Sequence, residues 1–278
     1  MDRLTIYKQI AEQSIQGELV FPTHVEETLK LKRILDNPDC HLETAAKYII
    51  ADPVLSARTV ALANSSAFNR SGMQINNVPM AISRIGFRTV RTLVSAAVVR
   101  QLGSQVRDPI LKAKAKELWE HCAHVAALAQ VVARHISKVD PDTAMFAGIV
   151  HEVGGFYLIS RAEEFPGLLN GDAEIWGEYG EHLIGRGVMT QLGIPSLVMN
   201  AVEQLWQGIS AIPAKTLGDT LTLANEMSPY ISPLHEAVGL RSKQFAATLD
   251  FDVDDTTLQE ILNDSQDEIE SLSAALLV

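Results

Sequence analysis

The chain has 278 residues, enough to bury a sizeable core in one large unit or two packed lobes. Its 23 basic and 34 acidic side chains leave a net charge of −11, which repels a phosphate backbone and sets nucleic acid aside as a partner. Cys40 and Cys122 stand far apart without a C-x-x-C pair, and no apolar leader is visible, so the sequence predicts a cytoplasmic protein without disulfides or membrane attachment.

Helical periodicity dominates, and strictly alternating strand patterns are nearly absent, so the expected fold is all-α. Thr23 with Glu26 reads as a capping box ahead of a helix from Val25 to Leu35 that stops near Asn37-Pro38. Leu42, Ala45, Ala46, Ile49 and Ile50 mark a second helix. Asp52-Pro53 then supplies a cap and an initial proline for Val54 to Ala63. The polar stretch after Asn64 reads as an ordered surface loop. Helix resumes at about Val78, and a strongly apolar segment from Thr89 to Leu102 ends at Gly103-Ser104.

Asp108-Pro109 opens the next helix and marks a boundary between two lobes. Leu111, Ala115, Leu118, Cys122, Val125, Ala129, Val132 and Ile136 form a stripe with spacings of three and four, and the histidines at 121, 124 and 135 stand beside it. Ala144 to Val150 is apolar all round and delivers His151 and Glu152 into a Gly154-Gly155 break. Further helices are predicted at Glu178 to Gln191, Pro195 to Gln207 and Lys215 to Met227. Leu197, Val198, Ala201, Val202 and Leu205 form one core-facing stripe. The acidic segments Asp250 to Asp255 and Asn263 to Glu270 read as short solvated helices or their flanks. The predicted organisation is a bilobal multi-helix bundle: a helical lobe over 1–107, a second lobe over 108–232 and an acidic helical extension over 233–278.

An ionisable pair such as His151-Glu152, placed after a wholly apolar helix, needs a metal or hydrogen-bond partners to be buried. His121 precedes it on the striped helix and His182 follows it, so these four residues form the candidate metal site, with a metal-free hydrogen-bonded cluster as the alternative. The loop residues Asn64, Ser65, Phe68 and Asn69, with Arg84 and Arg88, are a candidate binding surface; capping of helix ends and turns is the competing explanation for the loop's Asn and Ser.

Several segments together resemble a known family. Leu118-Trp119-Glu120-His121-Cys122 and Phe146-Ala147-Gly148-Ile149-Val150-His151-Glu152-Val153-Gly154 are similar to the metal-site segments of the HD phosphohydrolase superfamily. Ile50-Ala51-Asp52-Pro53-Val54-Leu55, Leu62-Ala63-Asn64-Ser65-Ser66-Ala67-Phe68 and Val78-Pro79-Met80-Ala81-Ile82-Ser83-Arg84-Ile85-Gly86 resemble its HDOD branch, as does Glu178 to Gly185 around His182. The resemblance runs from about residue 18 to 230. It implies a bilobal all-α module, with an HD-like second lobe, that serves bacterial signal transduction without demonstrated hydrolase activity. Active HD hydrolases bind divalent metal through roles that would fall here to His121, His151, Glu152 and His182.

The departures point toward a degenerate site. Glu152 replaces the aspartate of the His-Asp doublet, Leu205-Trp206 stand where related HD-GYP enzymes carry a His-His pair, and Asn225 takes the position of the terminal aspartate. The expectation is therefore a non-enzymatic module working through a protein signalling partner, with no resident cofactor. The alternatives are a divergent phosphohydrolase using iron, manganese, magnesium or nickel, and a module that binds a small nucleotide without hydrolysing it.

Overall fold

The computed structural model describes residues 2–170, 173–208, 211, 213–237 and 255–278; the predicted acidic segment over 250–254 lies outside them. The fold is all-α. The first group of helices comprises α2 (Thr23–Asp36), α3 (Leu42–Ala51) and α4 (Pro53–Asn64), all packed on α5 (Val78–Leu102). Asp52 caps α4 by accepting from the Val54 and Leu55 amides, and Pro53 occupies the first turn, where its missing N–H costs nothing. At α2 the position ahead of the helix is held by Pro22 with no side-chain cap, and Thr23 is the first helical residue, not the cap that the sequence suggested. Helix α5 is continuous except at Gly86, whose φ of 82° kinks it where the sequence suggested a join.

The second group is built around α6 (Pro109–Val132), which continues through π-helical turns to Ser137. Its neighbours α7 (Pro141–Val150), α8 (Val153–Arg161) and α12 (Leu217–Met227) pack around it, and α11 (Ser196–Trp206) packs in turn on α12 and α7. Burial on α6 exceeds a single stripe: Ala123, Ala126, Ala127 and Val131 are buried as well as Leu118, Cys122, Val125 and Ala129. The predicted stripe on α11 holds at Val198, Ala201 and Val202, with Leu205 partly buried against the core, but Leu197 is 62% exposed. Between α8 and α11 the chain runs through α9 (Ala173–Ile175), a π-helical segment Trp176–Gly185 and α10 (Arg186–Gln191). Helix α1 (Arg3–Gln16), absent from the expected elements, packs mainly on that π-helical segment and α10 rather than beside the other N-terminal helices.

The stretch Pro141–Arg161 is long and apolar enough to cross a membrane by length and composition, longer than its sequence pattern suggested, yet 83% of its apolar window is buried within the protein. The chain turns inside it at His151-Glu152, not at Gly154-Gly155, and both glycines lie within α8. Gly154 is required for a close approach of backbone, and Gly155 leaves room for a side chain. A Cβ on Gly154 would lie 2.7 Å from Gly185 Cα, and one on Gly155 would lie 2.4 Å from a Leu234 methyl carbon.

Among the described residues near the C-terminus, the last helix carries a buried apolar face beside an exposed acidic one. Helix α13 (Pro233–Ala237) docks on α6 beside α8, and α14 (Asp255–Asp264) leads into α15 (Gln266–Leu277). Helix α15 buries Ile269, Leu272, Ala275 and Leu276 against α6 and α4, so it ties the two helix groups together. Its acidic residues face outward or pair, as Glu268 does with Arg134. Over Asn263 to Glu270 the polar residues Asn263, Asp264, Gln266, Asp267 and Glu270 are exposed, and the buried face of α15 lies mostly beyond them, from Ile269 onward.

Candidate metal centre

The site forms where α6, the α7–α8 turn and α13 converge. Gly148 sets the distance between α6 and α7, because a Cβ there would stand 2.5 Å from Ala126 Cα. Its carbonyl accepts a hydrogen bond from His151 Nδ1 at 2.7 Å. The Tyr230 carbonyl accepts from His121 Nδ1, also at 2.7 Å. A carbonyl can only accept, so both rings must carry hydrogen on Nδ1. Their Nε2 atoms then face each other at 3.1 Å with a lone pair on each when both rings are neutral.

Burial favours that neutral form. It lowers the His121 pKa, and together with the charge of His121 it pushes His151 down to about 4. Two facing acceptors without a proton repel, and a cation placed against both relieves the conflict. Nitrogens bound at about 2.0–2.1 Å to one ion lie about 2.8–3.4 Å apart at right-angled to tetrahedral geometry, and 3.1 Å falls inside that span.

Glu152 is the third member. One of its carboxylate oxygens and one ring nitrogen of each histidine all lie within 4.8 Å of one another, and Oε1 has no hydrogen-bond partner. The donor set therefore fits one divalent ion, with His121, His151 and Glu152 holding it and the two carbonyls fixing the ring orientations. Bound there, such an ion would act as a Lewis acid toward an oxygen ligand.

His235, which the sequence reading missed, approaches the same carboxylate. Its Nε2 lies 3.6 Å from Glu152 Oε1 and 3.4 Å from Glu181 Oε1. Burial opposes its charge, but Glu152, Glu181 and Glu226 raise its pKa to about 9, so it is an imidazolium at neutral pH. Burial likewise pushes Glu152 upward, and His235 heads the groups that bring it below the ordinary value. The signal in the sequence was slight: Ser232-Pro233 is a plausible helix start with a histidine two residues on.

His182, expected as a ligand, is not part of this group. It is exposed on the π-helical segment, with its ring edge-on to Trp206 at 5.8 Å. The extra residue per turn in a π-helix rotates the register, and Glu181 faces the cluster in its place. Asn225 lies beside His121 with Oδ1 unpartnered. Trp206 fills the space over Gly185 rather than offering a ligand.

The second predicted surface is internally engaged. Asn64 donates to the Ile75 carbonyl at 2.7 Å and accepts from its amide at 2.8 Å. Ser65 is buried and donates to Leu62, Phe68 packs on the core, and Asn69 Oδ1 accepts from Ser71. Arg84 donates to the Ala63 carbonyl, and Arg88 pairs with Asp140 at 2.8 Å. Capping and turn closure therefore account for the loop's Asn and Ser. Next to them, Ser66 receives α15 through Ser271 and the Asp267 carbonyl.

Comparison with known proteins agrees with this architecture. A proposed metal-dependent phosphohydrolase from Shewanella amazonensis SB2B is 21% identical, with 99% of this chain and 100% of that one covered and a TM-score of 0.72. An HDOD domain protein of unknown function from Geobacter sulfurreducens is 19% identical, covering 99% and 97%, at TM-score 0.59. A proposed signal transduction protein from Marinobacter aquaeolei VT8 is 17% identical, covering 99% of this chain and 66% of that one, at TM-score 0.57. At such identities the likeness establishes the fold. No curated protein sequence matches. The profile of the HDOD domain matches residues 21–173, more than half the chain, from α2 through the His121 and His151-Glu152 segments, and the protein belongs to the HDOD domain family.

Proposed function

We propose that this protein is a non-enzymatic regulatory module of the cytoplasm that acts by binding a protein signalling partner. The observation that carries the reading is the closure of its HD-type cluster. His121, His151 and Glu152 are only 3–5% exposed, and the carboxylate a hydrolase would offer to a metal faces the His235 imidazolium. A catalytic ion needs an open coordination position that substrate can reach. Here α13 stands over the carboxylate, and neither His182 nor Asn225 adds a further anionic or imidazole ligand. A similar fold in a proposed signal transduction protein supports the same direction.

A second reading has its own observation. The facing Nε2 atoms favour a bound divalent ion, which would make the cluster a metal centre and keep open a divergent phosphohydrolase. One experiment addresses both. Protein purified without chelator is analysed for metal, then assayed for phosphodiesterase and nucleotidase turnover with manganese, iron, magnesium and nickel, alongside His151→Ala. The regulatory reading expects no turnover that depends on His151, and a partner retained by cross-linking in native extract. Metal-dependent turnover that vanishes in His151→Ala overturns it. One ion per chain without turnover gives the cluster a structural metal and leaves the regulatory reading standing.

A further inference from the structure

A cavity of about 410 Å³, unused by the metal centre, opens between the two helix groups. Its wall is drawn from α2, α5, α7 and the start of α11. At one end Lys32 and Arg91 converge on a single carboxylate, Asp36, at 2.6 and 3.9 Å. The Lys32 side chain is only 10% exposed, and a Cβ at Gly193 would stand 3.8 Å from its Nζ, so the ammonium borders the cavity. Arg91 spends Nε on the Leu35 carbonyl and lies over the Phe87 ring at 5.1 Å, which fixes the plane of its fork. Among the described residues neither of its Nη atoms has a partner, and its side chain is 38% exposed and open to solvent.

The rest of the lining divides by chemistry. Arg88 pairs with Asp140 and also acts on Asp142, which accepts from Thr89 at 3.5 Å. The α7 end thus has one cation for two carboxylates, whereas the α2 end has two cations for one. Phe146, Pro195, Leu197 and Val198 supply an apolar wall. Leu197 belongs to the α11 stripe by sequence, yet it stands 62% exposed, and Phe146 is half-buried. Uncovered hydrocarbon beside a guanidinium with unspent donors suits a ligand that has both characters.

We propose that this cavity binds a small organic acid, its carboxylate or phosphate on Arg91 and Lys32 and its apolar body against Phe146 and Leu197. The two Nη groups of Arg91 form a fork that matches two oxygens of one anionic group, and Lys32 adds a point charge. Asp142 keeps a second anionic group away from α7, so the ligand lies with its charge toward α2. Because the walls come from both helix groups, an occupant stabilises their present arrangement by mass action. The site is separate from the His121–His151–Glu152 cluster and depends neither on a metal there nor on a protein partner.

The test titrates benzoate, phenyl phosphate, inorganic phosphate and benzyl alcohol into the full chain at constant ionic strength. The readouts are melting temperature and the methyl resonances of Leu197, assigned through Leu197→Ser. At least one aromatic anion is expected to shift those resonances saturably and to raise the melting temperature; the tighter of the two identifies the anionic group as carboxylate or phosphate, and either agrees with the proposal. Affinity should fall about tenfold in Arg91→Gln, checked for helicity by circular dichroism, because the fork and its charge are lost. In Leu197→Ser, a change at an exposed position, the melting-temperature titration should show phenyl phosphate losing its advantage over inorganic phosphate. Leu197 methyls that stay still with both aromatic anions overturn the proposal. So does a shift that benzyl alcohol reproduces at equal concentration, or an affinity undiminished in both variants.

Discussion

Two polar assemblies of this protein sit at helix junctions and resolve their hydrogen bonding in opposite ways. In the loop after α4, Asn64 uses both ends of its amide on the Ile75 backbone, and Ser65 returns its hydroxyl to the helix it ends. In the α6–α7–α13 cluster two imidazole lone pairs converge and a carboxylate oxygen has no hydrogen-bond partner. A satisfied assembly holds the chain in place. An assembly with unspent acceptors has something left to bind a proton or an ion.

The sharpest way to break this contrast is through the backbone that forces the imidazoles together. Gly148→Ala places a methyl 2.5 Å from Ala126 Cα, a contact that backbone must relieve by moving. The expected loss is about 3 kcal/mol, measured by urea unfolding, the cost of overpacking a tight core. Any metal affinity should fall with it, because the Gly148 carbonyl that orients His151 moves with the helix.

The next effect is electrostatic and has two limbs. The pKa of His235 is raised to about 9, so its stabilisation is complete below the ordinary histidine value and is lost as pH rises from about 6.5 through 9. His151, pushed down to about 4, is the reverse case: its neutral burial supports the fold above about 6.5 and loses that support as pH falls toward 4. The metal-free protein should therefore be most stable near pH 6.5. Each limb should amount to on the order of 2 kcal/mol, the alkaline one moderated by the partial exposure of His235. Glu152→Gln should shrink the alkaline limb, with Glu181 and Glu226 still holding His235, and deepen the acidic one, because the Glu152 charge opposes the fall of the His151 pKa; melting curves across pH would show both changes directly.

Much of the contrast was legible in the sequence, for identifiable reasons. Asp52-Pro53 and Asp108-Pro109 announced helix starts because caps are local, and both aspartates accept from the two amides that follow the proline. The pairing of His121 with His151-Glu152 was readable because an ionisable doublet after a wholly apolar helix demands a partner. His182 misled because α-helical spacing was assumed across a segment that adopts π-helical turns, which bring Glu181 to the cluster instead. His235 stayed hidden because its role is tertiary: it arrives with α13, whose Leu234 packs over Gly155 of α8. The burial of Arg58 on α4 was invisible for a similar reason, since an arginine in a helix normally signals solvent and nothing local says that α15 will cover it.

On the satisfied side, Asn64→Ala removes both bonds to Ile75 and leaves a backbone amide and carbonyl short of partners. The expected cost is about 1.5 kcal/mol by urea unfolding, with no change in the pH optimum. A shift of that optimum would couple the loop to the histidine cluster and erase the distinction between the two regions.

The smallest effect sharpens the same boundary from the surface. Arg88 and Asp140 form a 2.8 Å pair, but their side chains are 67% and 43% exposed, so water and salt screen most of the attraction. Asp140 also caps α7 by accepting from the Thr143 amide, and that role survives without Arg88. Arg88→Ala should therefore change stability by less than about 0.5 kcal/mol, while Asp140→Ala should cost about 1 kcal/mol through the lost cap. Equal losses in the two variants would mean that the ion pair, rather than the cap, anchors the start of the helix leading to His151.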